Sequence, residues 1–115
     1  MPPGSLTTPH TIVHSCVSLN GCKGVVARCR VNIDTPTIAA LNGSAAGYGM
    51  DMALGCDMRI MADNAKLAAA FTARGIVPES GGTWILPRLI GWAKASEIIF
   101  TGKTLGAAES LEMGL

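Results

Sequence analysis

From Thr35 onward the apolar residues come in short blocks, each closed by glycine, proline or a polar turn residue. Such punctuation limits the chain to short strands and short helices. No block approaches the ~20 consecutive apolar residues that a membrane-spanning helix requires. With 115 residues, 49% of them hydrophobic, there is room for one domain at most and enough apolar surface for a core. Nine basic and eight acidic residues give a formal charge of +1, so no strong field favours nucleic acid or an anionic membrane as partner.

The first 33 residues differ in composition from the rest. They hold no acid, three basic residues (Lys23, Arg28 and Arg30) and six Ser or Thr, without sustained helical or strand periodicity. Residues 1–34 are therefore expected to be a poorly ordered leader. An organelle-targeting role is disfavoured, because such peptides are Arg-rich and here the first Arg stands at position 28. Cys16, Cys22, Cys29 and Cys56 fit neither a CxxC zinc pattern nor a compact disulfide framework. The thiols are read as reduced and the compartment as intracellular, cytoplasmic before mitochondrial. His10, His14 and Cys16 would share a face only on a helix, which Pro9 and the β-branched Thr11, Ile12 and Val13 oppose, so no metal site is expected.

Residues 36–42 (PTIAALN) read as a buried strand, followed by a turn at Asn42-Gly43. The small-residue stretch through Gly47 and Gly49 then opens a helix whose apolar positions are Ala46, Met50, Ala53 and Leu54. Residues 58–61 and 65–71 predict two more strands around the turn Ala62-Asp63-Asn64, and residues 75–82 a loop. Helices are expected over 84–90, 92–100 and 106–113, the last closed by Gly114. The resulting order of strand, helix, two strands and helices is an α/β chain with a repeated β-β-α theme.

The first amides of a helix have no intrahelical acceptor and lie at its positive end, which makes Gly47-Tyr48-Gly49 a candidate oxyanion site. Asp51, three to four residues on, is expected to lean back toward those amides. Donors beside a carboxylate suit proton transfer next to a carbonyl, although a first-turn acid that only complements the helix dipole explains Asp51 more simply. Glu79 lies in the loop before the next helix, either as an exposed turn residue or as a second carboxylate. Ser80-x-Gly82 imitates half of a nucleophile elbow, but Pro78 replaces the first glycine and no His follows position 14, so a hydrolase triad is excluded. Gly47-x-Gly49-x-x-Met52 lacks the third glycine of a dinucleotide fingerprint, and no nicotinamide cofactor is expected.

The stretches Pro36-Thr-Ile-Ala-Ala-Leu-Asn-Gly43, Ala46-Gly-Tyr-Gly49, Leu54-Gly-Cys-Asp-Met-Arg-Ile60, Gly75-Ile-Val-Pro78-Glu-Ser-Gly-Gly-Thr83 and Phe100-Thr-Gly-Lys103 occur in this order. Over residues 35–115 the chain thereby resembles the central part of the enoyl-CoA hydratase/isomerase (crotonase) family. The resemblance implies a partial crotonase-like ββα spiral fold that lacks the family's N-terminal and C-terminal parts. It implies an acyl-CoA thioester as substrate, no added cofactor, and trimers or hexamers for the full-length family. Tyr48 takes the place of one oxyanion amide and Asp51 that of the hydratases' first catalytic Glu. Phe71 takes the place of their second, which it cannot replace as a proton carrier. Glu79 stands where some isomerases carry an acid. Gly47, Gly49, Phe71 and Gly82 are expected to line the substrate site, and double-bond isomerisation is favoured over hydration. The rival expectation is an inactive fragment of that fold that acts at most by associating with full-length subunits.

Overall fold

The computed structural model describes residues 36–115. The leader expected over residues 1–34, the disfavoured metal site at His10, His14 and Cys16, and Cys22 and Cys29 lie outside the described residues.

Two small sheets share the strands alternately. Strand β1 (Ile38–Leu41) enters the first sheet and β2 (Ala45–Ala46) the second. Helix α1 (Tyr48–Gly55) carries the chain back, β3 (Met58–Met61) pairs with β1 in parallel, and β4 (Lys66–Ala68) pairs with β2 in parallel. One β-β-α turn thus stacks on the next, as the repeated theme predicts. A 3-10 turn at Thr72–Arg74 and a loop lead to α2 (Gly82–Ile90) and α3 (Trp92–Thr101). Then β5 (Thr104–Gly106) adds antiparallel to β4, and α4 (Ala107–Met113) follows.

Short polar clasps fix the register. Thr37 donates its backbone N–H and its hydroxyl to Asp57 Oδ2, both at 2.8 Å, and its hydroxyl oxygen accepts the Asp57 N–H at 3.1 Å. This ties the entrance of β1 to that of β3. Between the sheets and helices lies a core that includes Ala39, Leu41, Met50, Leu54, Leu67, Leu86, Ile98 and Leu105, all buried. Lys103 bridges α3 and α4 through Glu97 at 3.5 Å and Glu109 at 2.7 Å; pairs so exposed to solvent add little to stability.

Several expectations are corrected. The strand expected over 65–71 ends at Ala68, because Phe71 turns inward and its carbonyl accepts from Arg74 and Ile76. Residues 45–46, within the stretch expected to lead into a helix, and 104–106, of which Gly106 is expected to open one, are strands, each created by pairing with β4. In α1 the buried positions are Met50, Asp51, Ala53, Leu54 and Gly55, with Ala46 exposed ahead of the helix. The helix endings at Gly91, Gly102 and Gly114 stand as the sequence indicates, all three glycines having positive φ.

Candidate active site

Helix α1 begins abruptly at Gly47, whose φ of 54° and ψ of −121° lie in a region that only glycine occupies at low cost. Its N–H is spent on the Ala68 carbonyl at 2.8 Å, and the first helical bond runs from the Asp51 N–H to the Gly47 carbonyl at 3.1 Å. The amides of Tyr48, Gly49 and Met50 therefore lie ahead of the first helical bond, at the positive end of the helix. The Tyr48 side chain is half-exposed, while the Phe71 ring is buried and packs over the Cα of Gly47.

Asp51 does not lean back on its own helix: no side chain caps α1. Its carboxylate crosses instead to the start of α2, where the Gly82 backbone N–H donates to it. The approach is so close that a Cβ at position 82 would lie 2.7 Å from Asp51 Cγ and 2.8 Å from Oδ2. Gly82 is thus the residue that admits the acid. The packing of α1 against α2 makes the crossing possible, and the positive end of α2 attracts the charge.

Asp51 is 3% exposed and its Oδ2 has no hydrogen-bond partner. Burial pushes its carboxyl up to about 6; the Gly82 N–H and the Ser80 hydroxyl pull it down, and the nearby charge of Glu79 pushes it up further. Ser80 acts on the carboxylate electrostatically, yet its Oγ is also buried without a fully formed hydrogen bond. Glu79 itself is exposed, in the loop between the 3-10 turn and α2. The structure thus brings Asp51 and Gly82 into contact, with Glu79 near enough for its charge to act on the carboxyl. A pairing between residues 51 and 82 leaves no mark on local sequence pattern, so sequence reasoning missed it, as it missed the burial of Ser80.

The chemistry of this arrangement is that of a carboxyl group poised to take or give a proton near neutral pH, in a sheltered place. A cleft of about 420 Å³ lies elsewhere, between β3 and α4, with Arg59, Met61 and Leu111 in its wall, and contains none of these groups. Among the described residues no set of three or more His, Cys, Asp or Glu side chains is arranged to hold a metal ion, and no helix is long and apolar enough to cross a membrane.

The family profile described as enoyl-CoA hydratase/isomerase matches residues 27–115. The chain belongs to the enoyl-CoA hydratase/isomerase (crotonase) family. It is 50% identical over 80 residues to the mouse enoyl-CoA hydratase domain-containing protein 2, mitochondrial, a match covering 70% of this chain and 27% of the relative. Identity to rat methylglutaconyl-CoA hydratase, mitochondrial, is 45% over 84 residues, covering 73% and 27%. Among solved structures, enoyl-CoA hydratase from Bacillus anthracis superposes with a TM-score of 0.73 at 41% identity, covering 77% of this chain and 36% of that one. The chain spans less than a third of the length of the curated relatives it matches.

Proposed function

We propose that this chain carries the acid-base half of an acyl-CoA site and that its reaction is double-bond isomerisation of an enoyl-CoA thioester. The observation that carries this reading is the sheltered Asp51, with a carboxyl pushed up to about 6 and Glu79 close enough to influence it. Phe71, buried against Gly47, offers no second carboxylate for adding water in the hydratase manner. In the proposed step a carboxylate takes the α-proton of a 3-enoyl thioester. The C–H electron pair passes into an enolate whose oxygen the Tyr48 N–H stabilises, and a proton returned at the γ carbon leaves the double bond between the α and β carbons. Asp51 and Glu79 divide the two proton transfers. The mitochondrial names of the mouse and rat relatives favour a mitochondrial setting over the cytoplasmic one expected from the cysteines. Trimers or hexamers belong to the proposal for the full-length family and not for this chain.

The test is deuterium uptake at the α and γ carbons of a 3-enoyl-CoA in D2O, read by mass spectrometry, for the chain and its Glu79→Gln and Asp51→Asn variants. Expected is uptake at both carbons in the wild type; the variant that lacks the α-proton carrier loses both, because no enolate forms, and the variant that lacks the γ-proton carrier keeps uptake at the α carbon alone. No uptake beside an active family member as control would remove the reading.

A second reading, association with a longer chain of the same family without chemistry of its own, is favoured by the outer face of β1 and β3. There Ile38, Ala40, Met58 and Ile60 are all exposed, although parallel strands are ordinarily covered on both faces. Ile60→Lys would abolish co-elution with such a chain if this reading holds.

A further inference from the structure

Two buried polar atoms of the site, Asp51 Oδ2 and Ser80 Oγ, have no hydrogen-bond partner. An unmet polar atom in a protein interior is costly and calls for an explanation. Serine just ahead of a helix commonly caps it, but here the N-cap is Gly81, in the left-handed region at φ 94°, and no side chain caps α2. The Gly81 carbonyl accepts from Trp84 at 3.0 Å and from Ile85 at 2.9 Å, which anchors the residue next to Ser80. Ser80 itself is 2% exposed. A hydroxyl that neither caps the helix nor reaches solvent, held by a fixed backbone two residues from the glycine that touches Asp51, has the Asp51 carboxyl as its remaining use.

We propose that Ser80 is a positioning residue for Asp51. Its hydroxyl donates to Oδ2 when the carboxylate is charged and accepts from it when the carboxyl is protonated, so the acid changes protonation state without moving. A hydroxyl serves both states because it is donor and acceptor at once, whereas the Gly82 N–H can only donate. The inference rests on the reading of Asp51 as an acid-base group, and adds to it the means by which that group stays in place through a proton transfer. The charged surroundings are few. Glu79 acts on Asp51 from the loop, α1 carries no other charge and β2 none, and the Arg88 of α2 is committed to the Trp84 carbonyl at 2.8 Å and to its ring.

The test is a carbon-13 NMR titration of the 115-residue chain labelled at Asp and Ser, with Asp51→Asn used to assign the carboxyl signal. In the wild type the Ser80 Cβ signal is expected to move with the same midpoint as the Asp51 carboxyl. In Ser80→Ala, which removes a donor to the charged form, that midpoint is expected to rise by about one pH unit, and Ser80→Cys, a weaker donor of similar shape, to fall between the two. A Ser80 signal that ignores the Asp51 titration, or an unchanged midpoint in Ser80→Ala, overturns the proposal. If Ser80→Ala does not fold, co-titration in the wild type decides alone. Neither readout involves acyl-CoA, so failure of the isomerase reading and failure of the Ser80–Asp51 coupling are separate results.

Discussion

The Asp51 carboxylate occupies the space that a side chain at Gly82 would fill, with Asp51 Cγ only 2.7 Å from where the Cβ would stand. Two residues distant in sequence thus define one another: the acid requires a glycine opposite, and the glycine exposes a backbone N–H to the acid. Because Gly82 begins α2, the pair also sets how α1 and α2 meet.

Gly82→Ala should therefore destabilise the fold by about 1–3 kcal/mol, the usual cost of overpacking a filled site. The double variant Gly82→Ala/Asp51→Ala, which empties the opposing space, should recover most of that loss. A double-mutant cycle of urea midpoints checks it; additive losses would deny the contact.

Stability should fall as pH rises from about 4 to 6. Asp51 is pushed up to about 6 in the folded chain, so over this window the folded state holds a proton that the unfolded state has released, and raising the pH favours unfolding. The effect should reach roughly 1–2 kcal/mol, discounted for solvent screening, and level off above the folded pKa. Asp51→Asn should flatten this part of the profile, measured as urea midpoints between pH 4 and 7. A wild-type profile that rises through the window would contradict the assignment.

Glu79 raises Asp51 by like charge from an exposed loop. Glu79→Gln should lower the Asp51 midpoint. Added salt should lower it in the wild type and less in the variant, because an exposed charge is screened over a Debye length of about 8 Å at physiological ionic strength. Carbon-13 titration at low and high salt distinguishes this from a structural change, which salt would not reproduce.

Gly47 and Gly49 stand two residues apart and should respond differently to alanine. At Gly47 a Cβ would meet only the Phe71 ring at 3.8 Å, but φ is 54°, so Gly47→Ala should cost about 1–3 kcal/mol through the backbone alone. At Gly49 the nearest atom is Ala45 Cβ at 3.9 Å and φ is not positive. Gly49→Ala should be neutral or stabilising by up to about 1 kcal/mol, as expected inside a helix. Thermal or urea unfolding of the two variants tests the contrast.

Legibility followed the range of the interactions. The strand at Met58–Met61 and the glycine helix endings rest on residues within a turn or two of each other, and their pattern is visible in the chain itself. Gly47 could be read as a helix opener because a glycine-rich run before an apolar periodic segment has one local meaning. By contrast β2 and β5, two and three residues long, are strands only because β4 lies between them.

The same division holds at the site. Asp51 and Glu79 could be picked out as carboxylates, and Tyr48 as the start of a helix, from sequence alone. That Asp51 turns away from its own helix to the Gly82 N–H, beside a buried Ser80, depends on the packing of α1 against α2. Side-chain direction across such a gap, and the desolvation that raises the carboxyl, arise from contacts between residues about thirty positions apart. Local propensity determined the longer helices and the strands β1 and β3; tertiary packing decided the short strands β2 and β5 and what the buried acid faces, because pairing, burial and partner geometry exist only once those segments meet.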